Sequence, residues 1–112
     1  MKKSEIKVSI TLDEKKHPSK IEWQAEDDLK HDIHESKAML LAFFEKESLE
    51  TVRIDLWTDE MQVNEMDRFF FQTLKGLCDT YYKSTNNEKL AAQMQNFTRY
   101  FGEETGIIPK ES

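Results

Sequence analysis

The chain has 112 residues, and 16 Lys plus Arg against 22 Asp plus Glu give it a formal charge of −6. That length holds a single domain with one thin core. The acidic balance excludes a general nucleic-acid binder, which needs a basic face to release counterions, and excludes a polybasic membrane anchor. The charge is uneven: residues 1–20 carry six Lys against Glu5, Asp13 and Glu14, so the rest of the chain carries −9.

The first half reads as strands. Ile6, Val8, Ile10 and Leu12 recur at every second position, which sets four aliphatic side chains on one face of a strand. The polar stretch Asp13 to Ser19, with Pro18 near its end, reads as a hairpin connection. Ile21, Trp23 and Ala25 alternate after it as a second strand, antiparallel because so short a connection cannot cross over.

Five acids then crowd residues 26–35: Glu26, Asp27, Asp28, Asp32 and Glu35. They read as a solvated loop or, more sharply, as an acidic docking segment; their spacing does not match a calcium loop. A helical turn around Leu29 and Ile33 is expected within this stretch. Residues 37–46 lack period two and fit a helix as well as a strand; length and flanks favour a third strand, whose two faces, Met39, Leu41 and Phe43 on one side and Ala38, Leu40, Ala42 and Phe44 on the other, are then both apolar. Such a strand lies inside two layers or lends one face to an interface. Residues 50–58 alternate again, with Val52, Ile54 and Leu56 opposite Thr51, Arg53, Asp55 and Trp57.

The second half reads as helices. Asn64 is a good N-cap, and Met66, Phe69, Phe70, Leu74, Leu77, Cys78 and Tyr81 make an apolar stripe interrupted by Gly76, a position suited to close packing. Thr85 and Glu88 form a capping box for a second helix, whose stripe of Leu90, Ala91, Met94, Phe97 and Phe101 is expected to stop at Gly102. The fold class is therefore α+β: a four-stranded antiparallel sheet, then two C-terminal helices packed on one face. Residues 1–102 are expected to be one domain and 103–112 a flexible tail.

Chemistry is sparse. His31 and His34 form a His-x-x-His pair with no third ligand placed by sequence, so no metal site is expected. Cys78 lies in an apolar stripe and reads as a buried structural thiol; as the one cysteine it excludes an internal disulfide and suits a reducing compartment. Three glycines make no phosphate-cradling loop, and no nucleophile elbow occurs. No catalytic residue, cofactor or enzymatic activity is expected. No apolar run is long enough for a signal peptide or a membrane span, so the chain is expected to be cytoplasmic, touching the inner membrane only through partners.

What remains is surface. Phe69, Phe70 and Phe71 are consecutive, and consecutive helical residues point 100° apart, so they cannot share one core stripe. Tyr82 raises the same problem, Trp57 stands on the polar face of its strand, and Leu40 and Phe44 share one side of the apolar strand. Trp57, Leu40, Phe44, Phe71 and Tyr82 are the candidate interface residues, and a homodimer or higher oligomer is the simplest way to cover them.

Several segments in order resemble the GldC family of Bacteroidetes gliding motility proteins. They are Lys3-Ser4-Glu5-Ile6, Ile21-Glu22-Trp23-Gln24-Ala25-Glu26-Asp27, Glu35-Ser36-Lys37-Ala38-Met39-Leu40-Leu41, Val52-Arg53-Ile54-Asp55-Leu56-Trp57-Thr58, Glu65-Met66, Phe69-Phe70-Phe71-Gln72-Thr73-Leu74 and Asp79-Thr80. The resemblance runs from residue 3 to about 101, and its order and spacing, rather than one motif, make it specific. It implies a non-enzymatic accessory protein of gliding motility, coupled to type IX secretion, that binds motility or secretion proteins. The order of strands then helices also resembles the export chaperone SecB, which implies the alternative of holding partly unfolded clients.

Overall fold

The computed structural model describes residues 1–30 and 32–110. They form five strands followed by two helices, and contacts divide the chain into two compact units, Met1–Met61 and Gln62–Ser112. The class is α+β with antiparallel sheets, as the alternation of residues 6–58 implies.

In the first unit, β1 (Ile6–Leu12) pairs with β2 (Pro18–Ala25) in the register Ile10↔Ile21 and Val8↔Trp23. The turn between them is held by Asp13, whose Oδ1 accepts from the backbone N–H of Lys15 at 2.8 Å and of His17 at 2.9 Å. Such Asx geometry is why a short polar side chain opens this turn. A third strand, β3 (His34–Ser36), adds to β2 through Trp23↔His34 and Ile21↔Ser36. The expected helical turn around Leu29 and Ile33 includes residue 31, which lies outside the described residues; before it residues 26–30 are turns with a bend at Asp28, and the stretch ends in β3. Ile21 sits on the central strand, flanked by Ile10 and Ser36, and is 1% exposed.

The expected single four-stranded sheet is corrected to three strands plus two. After a bend at Lys37, β4 (Ala38–Phe44) pairs with β5 (Thr51–Trp57) as a separate hairpin. The chain cannot continue one flat ladder through this point, because β3 ends after three residues and the next residue bends. The register Met39↔Leu56, Leu41↔Ile54 and Phe43↔Val52 stacks six apolar side chains on one face, as the alternation implies. The loop closes with Leu49 in the left-handed region at φ 59°.

In the second unit, α1 (Val63–Thr85) and α2 (Glu88–Glu104) form an antiparallel helical hairpin. Its caps differ from expectation. The N-cap of α1 is Gln62, two residues before Asn64, and the Glu65 carboxylate accepts from the Gln62 N–H at 3.1 Å. The N-cap of α2 is Asn87, whose Oδ1 accepts from the Leu90 N–H, while Thr85 donates back to the Tyr81 carbonyl. Gly102 does not stop α2. The terminating glycine is Gly106, at φ 76°, where the Gly106 N–H donates to Glu103 and the Ile107 N–H donates to Gly102. This is a Schellman closure, which needs a left-handed residue after the cap, and it folds Ile108 back over the last turn.

The hairpin buries small side chains. Ala91, Thr98 and Gly102 on α2 and Cys78 on α1 are its buried residues. Small residues on one face let helix backbones approach closely, and the larger members of the expected stripes are then left outside. Phe70, Leu77, Leu90 and Phe97 are exposed for this reason. Gly102 is the tightest point, because a Cβ built there would lie 2.5 Å from Phe71 Cε1 and 3.0 Å from Ile108 Cγ1. Gly76 is the opposite case. Nothing lies within 4 Å of a Cβ there, so the expectation that it allows close packing is corrected.

The two glycines should respond to alanine with opposite signs in urea denaturation. Gly102→Ala should destabilise by about 1–3 kcal/mol through overpacking against Phe71 and Ile108. Gly76→Ala should stabilise by about 0.5–1 kcal/mol through helix propensity alone. At the end of α2, Lys110 Nζ lies 2.8 Å from a Glu104 carboxylate oxygen. The hydrogen bond and the charge of Lys110 hold the Glu104 carboxyl below its ordinary value, and the same partner raises Lys110. The Glu104 contribution is thus present above its unfolded-state pKa and is lost as pH falls through its lowered folded value. Lys110→Gln should move the Glu104 carboxyl resonance back to an ordinary carboxylate titration in NMR.

Candidate interaction site

Cys78 is 3% exposed, as expected of a structural thiol. Thr98 Oγ1 donates its one proton to the Met94 carbonyl at 2.8 Å, so at the 3.5 Å contact with Cys78 Sγ the thiol is the donor. A thiol engaged as a donor in a helix interface is not poised as a nucleophile. His31 lies outside the described residues, so the His-x-x-His pair cannot be placed as a unit. His34 stacks on Trp23 with ring centroids 4.4 Å apart and shares a 3.0 Å contact with the Asp28 carboxylate. Among the described residues no group of three or more His, Cys, Asp or Glu is gathered for a metal ion.

The surface of the first unit is more distinctive. None of the six apolar side chains on the shared face of β4 and β5 is buried, and Phe43, Val52 and Ile54 are plainly exposed. The opposite face pairs Ala38 with Trp57, Leu40 with Asp55, Ala42 with Arg53 and Phe44 with Thr51. Arg53 holds Asp55 through two contacts of 3.0 and 3.1 Å along the same strand. This fork satisfies both charges next to Trp57, which is 58% exposed, and Phe44, which is more exposed still. Leu40 is half-buried between them in register.

Trp57 also borders a hollow of about 340 Å³ lined by His17, Pro18, Asp55, Leu56, Trp57 and Asp59. The β1–β2 turn supplies His17 and Pro18, and β5 with the residue pair after it supplies the rest. With Asp55 already paired to Arg53, the indole wall and the Asp59 carboxylate suit a cationic side chain, which gains from the ring face and from the opposite charge together. Sequence reading singled out Trp57 by its position on the polar face. It missed Asp59 and His17 as neighbours, because their proximity depends on how the first hairpin lies against β5.

The other candidate residues fall elsewhere. In the second unit, Tyr82 is exposed near the end of α1, while Phe71 is half-buried and leans on Gly102. Of the acidic segment, Glu26, Asp27, Asp32 and Glu35 are exposed, and Asp28 is tied to His34. These residues do not converge on the Trp57 hollow.

No helix of the described residues is long and apolar enough to cross a membrane.

Comparison with known proteins gives one finding. The family model described as "Gliding motility-associated protein GldC-like" matches residues 18–107. No curated relative and no solved structure matches the chain.

Thr58, next to Trp57, is 4% exposed and its hydroxyl has no hydrogen-bond partner, although its N–H donates to the Lys37 carbonyl. Burying an unpaired hydroxyl costs about 1–3 kcal/mol. Thr58→Val should therefore stabilise the fold by about 1 kcal/mol, read as a rise in melting temperature.

Proposed function

Since the chain belongs to the GldC-like family of gliding motility-associated proteins, we propose that it acts there as a non-enzymatic adaptor. In this reading it works in the cytoplasm and joins motility or type IX secretion components by protein–protein contact. It needs no cofactor, and any contact with the inner membrane comes through those partners. The observation that carries the reading is the β4–β5 hairpin, with apolar side chains on both faces and none of them buried. A two-stranded hairpin is marginal in water by itself, so a face of this kind is stabilised by being covered. Self-association as a homodimer or higher oligomer would cover one face and leave the Trp57 side for a partner.

The Trp57 hollow gives the partner a chemistry. The first unit is acidic, and Asp59 and the indole together favour a segment bearing Lys or Arg. The segment Glu26 to Glu35 would add long-range attraction of the same sign without touching the hollow.

A second reading, a SecB-like holdase for partly unfolded clients, is favoured by the spread of exposed apolar side chains over both units. The two readings part on stoichiometry. An adaptor retains one folded partner at a fixed ratio, whereas a holdase suppresses aggregation of many unrelated unfolded proteins.

Trp57→Ala should lower partner retention at least fivefold and reduce spreading of a gliding strain that carries the variant as its sole copy. Its melting temperature should stay within a few degrees of the parent, because Trp57 buries little area. Unchanged spreading with a large fall in melting temperature would move Trp57 from the interface into the structural framework. Sedimentation at micromolar concentration reads the oligomeric state directly.

A further inference from the structure

The helical hairpin contains an open groove of about 390 Å³ that the reading above does not use. Its floor is apolar and built by close packing: Phe71 and Ile108 converge over Gly102, where a side chain would collide with both. Cys78 and Thr98 close the base and are almost wholly buried. Its rim carries Lys75 from α1 and Arg99 from α2, with Asp79 and Gln95 beside them. Lys75 Nζ stands 5.7 Å from the centroid of the Phe71 ring, so a cation is held directly above the apolar floor. Neither Lys75 nor Arg99 is in an ion pair among the described residues.

We propose that this groove binds a short acidic and apolar peptide segment of a partner protein. An aliphatic or aromatic side chain of the segment lies on Phe71 and Ile108, and a neighbouring carboxylate bridges Lys75 and Arg99. Two cations from different helices flanking one apolar floor match that alternation of chemistry. A fatty acid fits less well. The groove is open to solvent and would leave an acyl chain wet, whereas Gln95 and Asp79 offer an amide and a carboxylate to the backbone of a peptide. The site is separate from the Trp57 hollow and opposite in charge. An adaptor with both would take a basic segment on one unit and an acidic one on the other.

The test is selection of a displayed library of random dodecapeptides on the whole protein, with counter-selection on K75E/R99E. The expected consensus sets Asp or Glu beside Leu, Ile or Phe. A synthetic peptide of that consensus should shift the amide resonances of Phe71, Lys75, Cys78, Thr98 and Ile108. Its affinity should fall at least tenfold in K75E/R99E and should weaken between 50 and 300 mM salt. Both charges are exposed, so circular dichroism of the double variant should match the parent; if it does not fold, Arg99→Gln alone carries the comparison. The proposal is overturned by a consensus without acids, by shifts that map outside the groove, or by equal binding to the charge variants. It is equally overturned if decanoate shifts these resonances and no selected peptide does. Trp57→Ala should leave peptide affinity unchanged, so a failure of the groove and a failure of the adaptor site remain separable.

Discussion

Three antiparallel ladders in two sheets organise residues 6–57, and the surface of that unit follows from their registers. Once Ile10 stands opposite Ile21 and Leu41 opposite Ile54, every other side chain in the four long strands is assigned to a face. A slip of one residue would invert all of them. Backbone pairing therefore carries more of this unit than burial does, since Ile21 is its one buried apolar side chain among the described residues. The unit is thus two sheets with apolar faces and little buried core.

The helical unit meets the same shortage of core by a different route. Its helices touch through Ala91, Thr98, Gly102 and Cys78. Close approach recovers dispersion contacts that large side chains would otherwise supply. The consequence is geometric. The aromatic residues lie around the contact rather than in it, and Phe71 with Ile108 forms a platform over Gly102. The Schellman turn at Gly106 matters here because it returns Ile108 to that platform. A groove with an apolar floor and a charged rim is the result.

The two units also differ electrically. The hollow beside Trp57 is walled by carboxylates, while the groove on the helices is rimmed by Lys75 and Arg99. The net charge of −6 conceals this contrast, because the acids are concentrated in the first unit.

By itself the sequence determined the α+β class, the faces of β1, β2, β4 and β5, the burial of Cys78 and the family resemblance. These depend on period-two and helical spacing, or on order along the chain, and both are local. Tertiary structure decided the rest. It split the sheet at Lys37, drew His34–Ser36 out of an acidic loop into β3, and moved the end of α2 from Gly102 to Glu104. It also chose which side of each helix is covered. Hydrophobicity alone favours burying Phe70, Leu77 and Phe97, but the helices meet on small residues because backbone approach is limited by side-chain size. Helix spacing records Phe71 and Asp79 beside Lys75, but His17 and Pro18 beside Trp57, and Arg99 and Ile108 beside Lys75, come from segments distant in sequence, and no spacing rule records that proximity.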